Sequence, residues 1–382
     1  MKRLLLLVLI ILVAYNTKPY WEDQVNTSLL NDTIAKLDAF KEKPEVQDAL
    51  TNLNDRISSL IFGLEDSLEE VKEDVQEPGG DADAEVVEVN KPQLTKPEDQ
   101  VFSIHNLEIG DTKELVEQTV GTPARTSFNE YGVKWYTYHQ NYQNFLMVAF
   151  DDNDQVSALY TNQDLISSDS GIGLNSSKDE MHQVLGEPIS KIRKGLVYYQ
   201  LQNDGEYEIY QRDDSYITVF YDKHESNTVT ALQIIDEDLE NDKKEIYAGA
   251  SEDLKEGFEY QLFDLTNSTR VNHGLSVLSW DEHVRSTARG HSLDMADNNY
   301  FNHTNLDGQS PFDRMQEDDI TFTVAGENLA YGQFSSIFAH EGLMNSEGHR
   351  KNILKEEYEF LGVGVAFNQE SQPYYTENFY RD

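Results

Sequence analysis

The chain has 382 residues, enough for about two or three domains. Thirty basic against seventy acidic side chains leave a net charge of −40, which excludes nucleic acid as a partner and opposes spontaneous adhesion to anionic lipid. Cysteine is absent, so disulfides, thiolate metal sites, a cysteine nucleophile and a lipid-modified cysteine are excluded too.

The N-terminus opens with Met1-Lys2-Arg3 and then runs apolar from Leu4 to Ala14. A basic head before ~7–15 apolar residues is the pattern of an export signal. The run is short of the ~20 residues a spanning helix needs. Val13-Ala14-Tyr15-Asn16 is not a small-x-small cleavage pattern, so residues 1–15 read as a signal peptide or a retained membrane anchor. Either way the protein is expected to be secreted or anchored at the outer face of the cytoplasmic membrane.

Residues 22–76 read as a helical stalk. From Val46 through Leu50, Leu53, Ile57, Leu60, Leu64, Leu68 and Val71 to Val75 the apolar intervals alternate four and three with one extra four. That is a heptad seam with one stutter. Self-association through 46–75 into a homo-oligomer and packing on a neighbouring domain are both open readings. Glu77-Pro78-Gly79-Gly80 stops the helix, and 77–102 reads as an acidic Pro/Gly linker.

Residues 103–240 contain a duplication. Thr112-Lys113-Glu114 leading to Gly121-Thr122-Pro123 recurs as Ser177-Lys178-Asp179 leading to Gly186-Glu187-Pro188, 65 residues on. Each copy is expected to start with a short helix, capped by Asp111 or by Asn175/Ser176 and stopped by the glycine. Strand-like runs follow: Val133–Tyr138, Phe145–Phe150 and Val156–Tyr160, then Leu196–Leu201, Tyr207–Gln211, Tyr216–Tyr221 and Val229–Ile235. Their alternation predicts antiparallel sheet in a pseudo-symmetric α+β domain. Asp151-Asp152-Asn153-Asp154 has neither the Gly nor the Glu of a calcium loop and reads as a polar hairpin turn.

From 251 to 382 the pattern changes. Leu254, Phe258, Leu262 and Leu265 line one helical stripe, which Gly274 stops; Val284, Ala288, His291 and Met295 line a second. Shorter helices follow at Pro311 and from Ser335 to Met344, with closing strands at Phe360–Phe367 and Tyr374–Phe379. The fold class is α+β: a C-terminal α-β-α sandwich behind the duplicated α+β domain and the stalk.

Chemistry concentrates in three strings of this last segment, Phe301-Asn302-His303, Gly326-Glu327-Asn328 and Asn345-Ser346-Glu347-Gly348-His349-Arg350. They bring two imidazoles and a carboxylate from separate loops or helix edges. His291 lies on an apolar stripe and reads as a core histidine. His340-Glu341 is not a metalloprotease helix, because the second histidine position is Met344.

These strings occur with Asn267-x-x-Arg270, Leu278-Ser279-Trp280-Asp281, His291-Ser292-x-Asp294-Met295, Asp313-Arg314, Asn352-Ile353-Leu354, Gly362-Val363-Gly364 and Tyr375-Thr376-x-Asn378-Phe379. In that order they resemble the CAP superfamily of cysteine-rich secretory, antigen 5 and pathogenesis-related (SCP-like) proteins, in its cysteine-free bacterial branch. The duplicated region resembles the CAP-associated N-terminal domain of Gram-positive relatives. The resemblance implies a central cleft around His303, Glu327 and His349, with Asn328 and Asn345 as further ligand contacts. It also implies His303 and His349 as ligands of a divalent cation such as zinc. One family position departs from the pattern: Leu343 stands where a Trp is expected and Ser346 where an acid is, with Glu347 displaced by one. The expected function is capture of a cell-envelope ligand (lipid, cell-wall fragment or peptide) or protein partner, with or without the cation. The alternative is a hydrolase using metal- or carboxylate-activated water, with His303, Glu327 and His349 as its catalytic candidates.

Overall fold

A computed structural model describes residues 89–201 and 205–382. The segment 1–15, the stalk 22–76 with its heptad seam, and the linker up to residue 88 lie outside the described residues. Residues 89–101 carry no helix or strand. Among the described residues no helix is long and apolar enough to cross a membrane.

The first half of the duplicated domain comprises β1 (Phe102–Ile104), α1 (Lys113–Val120), β2 (Arg125–Phe128), β3 (Lys134–Gln140), β4 (Gln143–Phe150), β5 (Val156–Thr161) and β6 (Ile166–Ser168). The second half comprises α2 (Lys178–Leu185), β7 (Lys191–Lys194), β8 (Val197–Gln200), β9 (Tyr207–Arg212), β10 (Ser215–Asp222) and β11 (Thr228–Asp236), and α3 (Glu237–Asp242) closes it. One seven-stranded antiparallel sheet runs β2-β3-β4-β5-β11-β10-β9. The halves therefore meet back to back where β5 pairs β11, Leu232 opposite Thr161 and Ile235 opposite Ala158.

The helix caps fall one residue later than the sequence suggested. Thr112 accepts from the Leu115 N–H, and Ser177 accepts from Glu180 N–H in a full capping box. Asp111 and Ser176 instead accept from Glu108 N–H and Gly173 N–H, tightening the turns that lead in. At the hairpin after β4, the Asp151 Oδ1 accepts from Asn153 N–H and Gln155 N–H, a polar turn as expected.

Both faces of the sheet are covered, which explains the unbroken apolar run Phe145–Phe150. Leu146, Val148, Val219 and Leu232 pack with Val116, Met181 and Leu185 of α1 and α2. On the other face Trp135, Phe145, Met147, Tyr160 and Phe220 pack on Leu265, Ile337 and Phe338 of the C-terminal domain.

That domain contains α4 (Glu252–Asn272), β12 (Ser279–Trp280), α5 (Glu282–Asn298), α6 (Pro311–Glu317), β13 (Val324–Tyr331), α7 (Ser336–Asn345), α8 (Glu347–Ile353), β14 (Phe360–Phe367) and β15 (Pro373–Arg381). Its sheet order is β12-β14-β15-β13, with β13 at an edge. Leu262, Phe258, Leu343, Val363, Val365 and Tyr375 form the core on the α4 and α7 side. The opposite face takes α5 at close range: a Cβ on Gly364 would lie 2.0 Å from Arg289 N, and one on Gly362 2.3 Å from Arg285 N. The result is the α-β-α sandwich that the helix and strand order implied.

Several motif strings have structural duties. Asn267 clamps Leu278, accepting from its N–H at 2.6 Å and donating to its carbonyl at 3.0 Å. Buried Arg270 donates to the carbonyls of Ser276, Ile353 and Lys355.

Candidate functional site

Glu327 lies in the middle of β13, opposite Asn378 of β15, and not in a loop or at a helix edge as the sequence reading had it. Gly, Glu and Asn are weak strand formers, so Val324–Tyr331 carries little local strand signal. Pairing with β15 overrides that preference. The strand sets the Glu327 carboxylate, 1 % exposed, beneath the loop that joins α5 to α6.

His303 belongs to that loop, and its ring is one-third exposed. Its Nδ1 lies 2.9 Å from Glu327 Oε1, and Arg314 of α6 donates from Nη2 to Oε2 at 2.6 Å. Since a carboxylate oxygen only accepts, Nδ1 carries the proton, and a neutral His303 ring holds its lone pair on Nε2. Arg314 also donates from Nη1 to the His303 carbonyl at 2.7 Å and to the Gln309 carbonyl at 3.1 Å. One guanidinium thus fixes both the carboxylate and the loop that carries its partner.

Burial alone would raise the Glu327 pKa. The hydrogen bond from His303 and the charge of Arg314 outweigh it, and the carboxyl sits below its usual value. His291 is 1 % exposed, so it is the buried histidine the helical stripe implied. It also does more than fill space: its Nε2 donates to the Asn302 carbonyl at 2.9 Å, steadying the same loop from α5. Sequence reasoning read His291 as a core histidine and quoted Arg314 only within the Asp313-Arg314 string, and it gave neither a role at this site. The available signal was indirect, an Arg one turn into a Pro-started helix close behind the histidine loop.

His349 sits on α8, which runs beside β13. Burial pushes its ring down to about 4, and the charge of His303 adds to the shift. Asn328 points the other way and is fully buried. It donates to Glu377 Oε2 at 3.0 Å and to the His349 carbonyl at 3.2 Å, and it accepts from Asn352 Nδ2. Asn345 ends α7 and faces the duplicated domain: Oδ1 accepts from Lys223 N–H at 2.8 Å and Nδ2 donates to the Tyr221 carbonyl at 2.9 Å. The structure therefore brings His303 and Glu327 into contact and sets His349 on α8, its carbonyl tied to β13 through Asn328. Asn328 braces α8 from within, and Asn345 belongs to the seam between domains.

The residues fit a closed metal site poorly. Both Glu327 oxygens are engaged, one of them by a cation, and the residue at the departed family position is Ser346. Among the described residues no three His, Asp or Glu side chains gather closely enough to hold a metal ion. A cavity of about 280 Å³ does exist, but Phe128, Asn129, Gly132, Ala248, Gly249 and Leu254 are among the residues lining it, away from this cluster.

A four-stranded sheet between helical layers, with a carboxylate-held imidazole above its edge strand, defines an SCP-like domain. Residues 263–379 match the model of the cysteine-rich secretory protein family, and residues 109–246 match that of the CAP-associated N-terminal region. The chain therefore carries a CAP domain of bacterial type behind a CAP-associated N-terminal domain.

It is 29% identical over 288 residues to YlbC of Bacillus subtilis (strain 168), described as an uncharacterized membrane protein, covering 71% of this chain and 82% of that one. It is 42% identical over 122 residues to the uncharacterized protein YkwD of the same organism, covering 32% of this chain and 46% of that one. An extracellular protein containing an SCP domain from Bacillus anthracis str. Ames matches with a TM-score of 0.63 and 27% identity, over 77% of this chain and 100% of that one. A cysteine-rich secretory protein from Staphylococcus aureus subsp. aureus Mu50 shares the fold, with a TM-score of 0.59 at 15% identity over 75% of this chain and 95% of that one.

Proposed function

We propose that this protein is exported and membrane-associated, and that its C-terminal cleft captures a cell-envelope ligand (a lipid, cell-wall fragment or peptide). The observation that carries the reading is the 2.9 Å contact between His303 Nδ1 and Glu327, locked by Arg314. The arrangement supplies a partly exposed imidazole of fixed tautomer above a buried charge, a preorganised hydrogen-bonding group for an incoming ligand. Export and membrane association are supported by the basic-apolar start of the chain and by the descriptions of its relatives as an extracellular and a membrane protein. The stretch 46–75 remains the candidate for self-association.

The same pair favours a second reading, hydrolysis. An imidazole oriented by a buried carboxylate is the arrangement of a general base with its orienting acid. Glu327 is buried, paired with Arg314 and held below its usual pKa, which makes it a weak base, so the proton acceptor would be His303. A divalent ion such as zinc, if bound, would rest on His303 and His349 alone among the side chains, and chelation is expected to leave ligand capture unchanged.

Calorimetry on the full chain with phospholipid vesicles, a muropeptide and an extended peptide tests this, with and without chelator. One class should bind, and His303→Ala should weaken it about tenfold or more, the usual loss for a hydrogen bond to a charged group. Equal binding of every ligand by wild type, His303→Ala and Glu327→Gln would remove the site from consideration.

A further inference from the structure

The duplicated domain departs from its internal symmetry at one strand. In the first half, β2 edges the large sheet and holds α4: Gln261 Nε2 donates to Ser127 Oγ at 3.0 Å and to the Phe128 carbonyl at 2.7 Å, and Arg125 Nε donates to Asp264 at 2.9 Å. The corresponding strand of the second half, β7, leaves the large sheet and pairs only with β8. The hairpin turns at Gly195 with φ of 54° and presents Leu196, Val197 and Tyr198, which are 92%, 52% and 60% exposed. Single exposed apolar residues are ordinary, but three in succession at one hairpin end are not.

The surroundings of that tip are unusual for a chain of charge −40. From Pro188 to Leu201 there is no acidic residue, while Lys191, Arg193 and Lys194 fall within it. Lys194 turns inward onto buried Glu240. Lys191 and Arg193 stay exposed, with Lys191 Nζ 4.8 Å above the Tyr198 ring and Arg193 Nε donating to the Gly195 carbonyl at 2.9 Å. Lys244, whose carbonyl abuts Gly195, adds a third exposed cation; its own neighbours are the Asn241 carbonyl and, at 3.5 Å, Asp242.

We propose that the β7–β8 hairpin is a membrane-interface finger. Leu196, Val197 and Tyr198 enter the headgroup region of an anionic bilayer, and Lys191 and Arg193 engage its phosphates. An apolar tip with an aromatic ring and flanking Lys/Arg is the composition that settles at a bilayer interface, where basic residues are attracted to anionic lipid. Charge complementarity selects this occupant. The acid-rich remainder of the chain is repelled by the same surface, so contact is confined to this corner and orients the protein. The inference is independent of the cleft and of what the cleft binds.

The absence of cysteine makes a local test clean. Leu196→Cys in the full chain, labelled with an environment-sensitive fluorophore, reports the hairpin itself and not attachment elsewhere, and Val197→Cys gives an independent second reporter. On vesicles containing phosphatidylglycerol the label should shift to the blue and be quenched by brominated lipid. A label at Leu115→Cys, on exposed α1, should stay aqueous. Lys191→Glu with Arg193→Glu should weaken the response roughly tenfold. Labels at 196 and 197 that stay in water on these vesicles would overturn the proposal. So would an equal response on pure phosphatidylcholine, or shielding that grows with protein concentration without vesicles, which would make a second copy the occupant.

Discussion

Arg314 is the residue on which the geometry of the site turns. Glu327 is a carboxylate with 1 % exposure, and its charge is tolerated because Arg314 and His303 surround it. Removing one partner of a buried ion pair leaves the other charge uncompensated, at about 3–5 kcal/mol, whereas removing both with similar volume costs far less. Arg314→Met should therefore lower the urea midpoint strongly, and Arg314→Met with Glu327→Gln should restore most of the loss. Additive losses in that double-mutant cycle would show that the two side chains do not support each other. The sign with pH follows from the lowered Glu327 pKa. Its stabilising contribution is present above the unfolded carboxyl value and is lost as pH falls through the folded one. Acid titration of wild type against Glu327→Gln, read by circular dichroism, should show the wild type losing its advantage only at the acid end. Parallel acid limbs for the two proteins would contradict that assignment.

Glycines decide how closely elements approach. A Cβ on Gly364 would meet Arg289 N at 2.0 Å, backbone that cannot move without displacing α5 from β14. Gly342 in α7 has nothing nearer than Gln333 Nε2 at 3.8 Å. Gly364→Ala should cost about 3 kcal/mol or more through overpacking, while Gly342→Ala should gain up to about 1 kcal/mol from helix propensity. Thermal midpoints of the two variants check this, and similar shifts for both would contradict the packing described. Elements with a strong local period were legible in the sequence: α4 and α5 from their apolar stripes, and β3–β5 and β9–β11 from alternation and aromatic content. The short β1, β2, β6 and β7 were not, because three or four residues carry little readable period, although the four-residue β8 was read within Leu196–Leu201 from its aromatic content. β13 escaped because its Gly-Glu-Asn centre obeys the site and its neighbours more than strand preference. His303, Glu327 and His349 were legible through the family strings. The placement of Asn345 at the domain seam was not, since Asn345 and His349 sit four residues apart and only the placement of α7 and α8 separates them.

At the scale of the molecule, the two described domains share a seam that is both apolar and hydrogen-bonded. Beneath the packed aromatics, Tyr160 of the sheet donates to Glu341 of α7 at 2.8 Å, and Tyr142 and Arg125 engage Asp264 of α4. Burial pushes Glu341 up to about 8 and Asp264 up to about 6. Both folded pKa values lie above the unfolded ones. Their contribution is therefore fully present below the unfolded values and is lost as pH rises, through about 8 for Glu341. Glu341→Gln keeps an acceptor for Tyr160 and removes the proton. The variant should gain on wild type between about pH 5 and pH 8, by at most about 1.4 kcal/mol per pH unit. Urea midpoints that keep a constant gap across that range would contradict it. A seam built this way also accounts for a C-terminal segment that does not stand apart from its N-terminal neighbour: one face of the seven-stranded sheet is closed by α4 and α7.

Glu327 and Arg314 hold His303 in one tautomer at the candidate site. Long-range nitrogen–proton NMR of the histidine rings, assigned with His303→Ala, tests it directly. At a pH where the ring is neutral, His303 should carry its proton on Nδ1 and its lone pair on Nε2, and Glu327→Gln should disturb that pattern. An Nε2-protonated ring in the wild type, or a spectrum that Glu327→Gln leaves unchanged, would contradict the account.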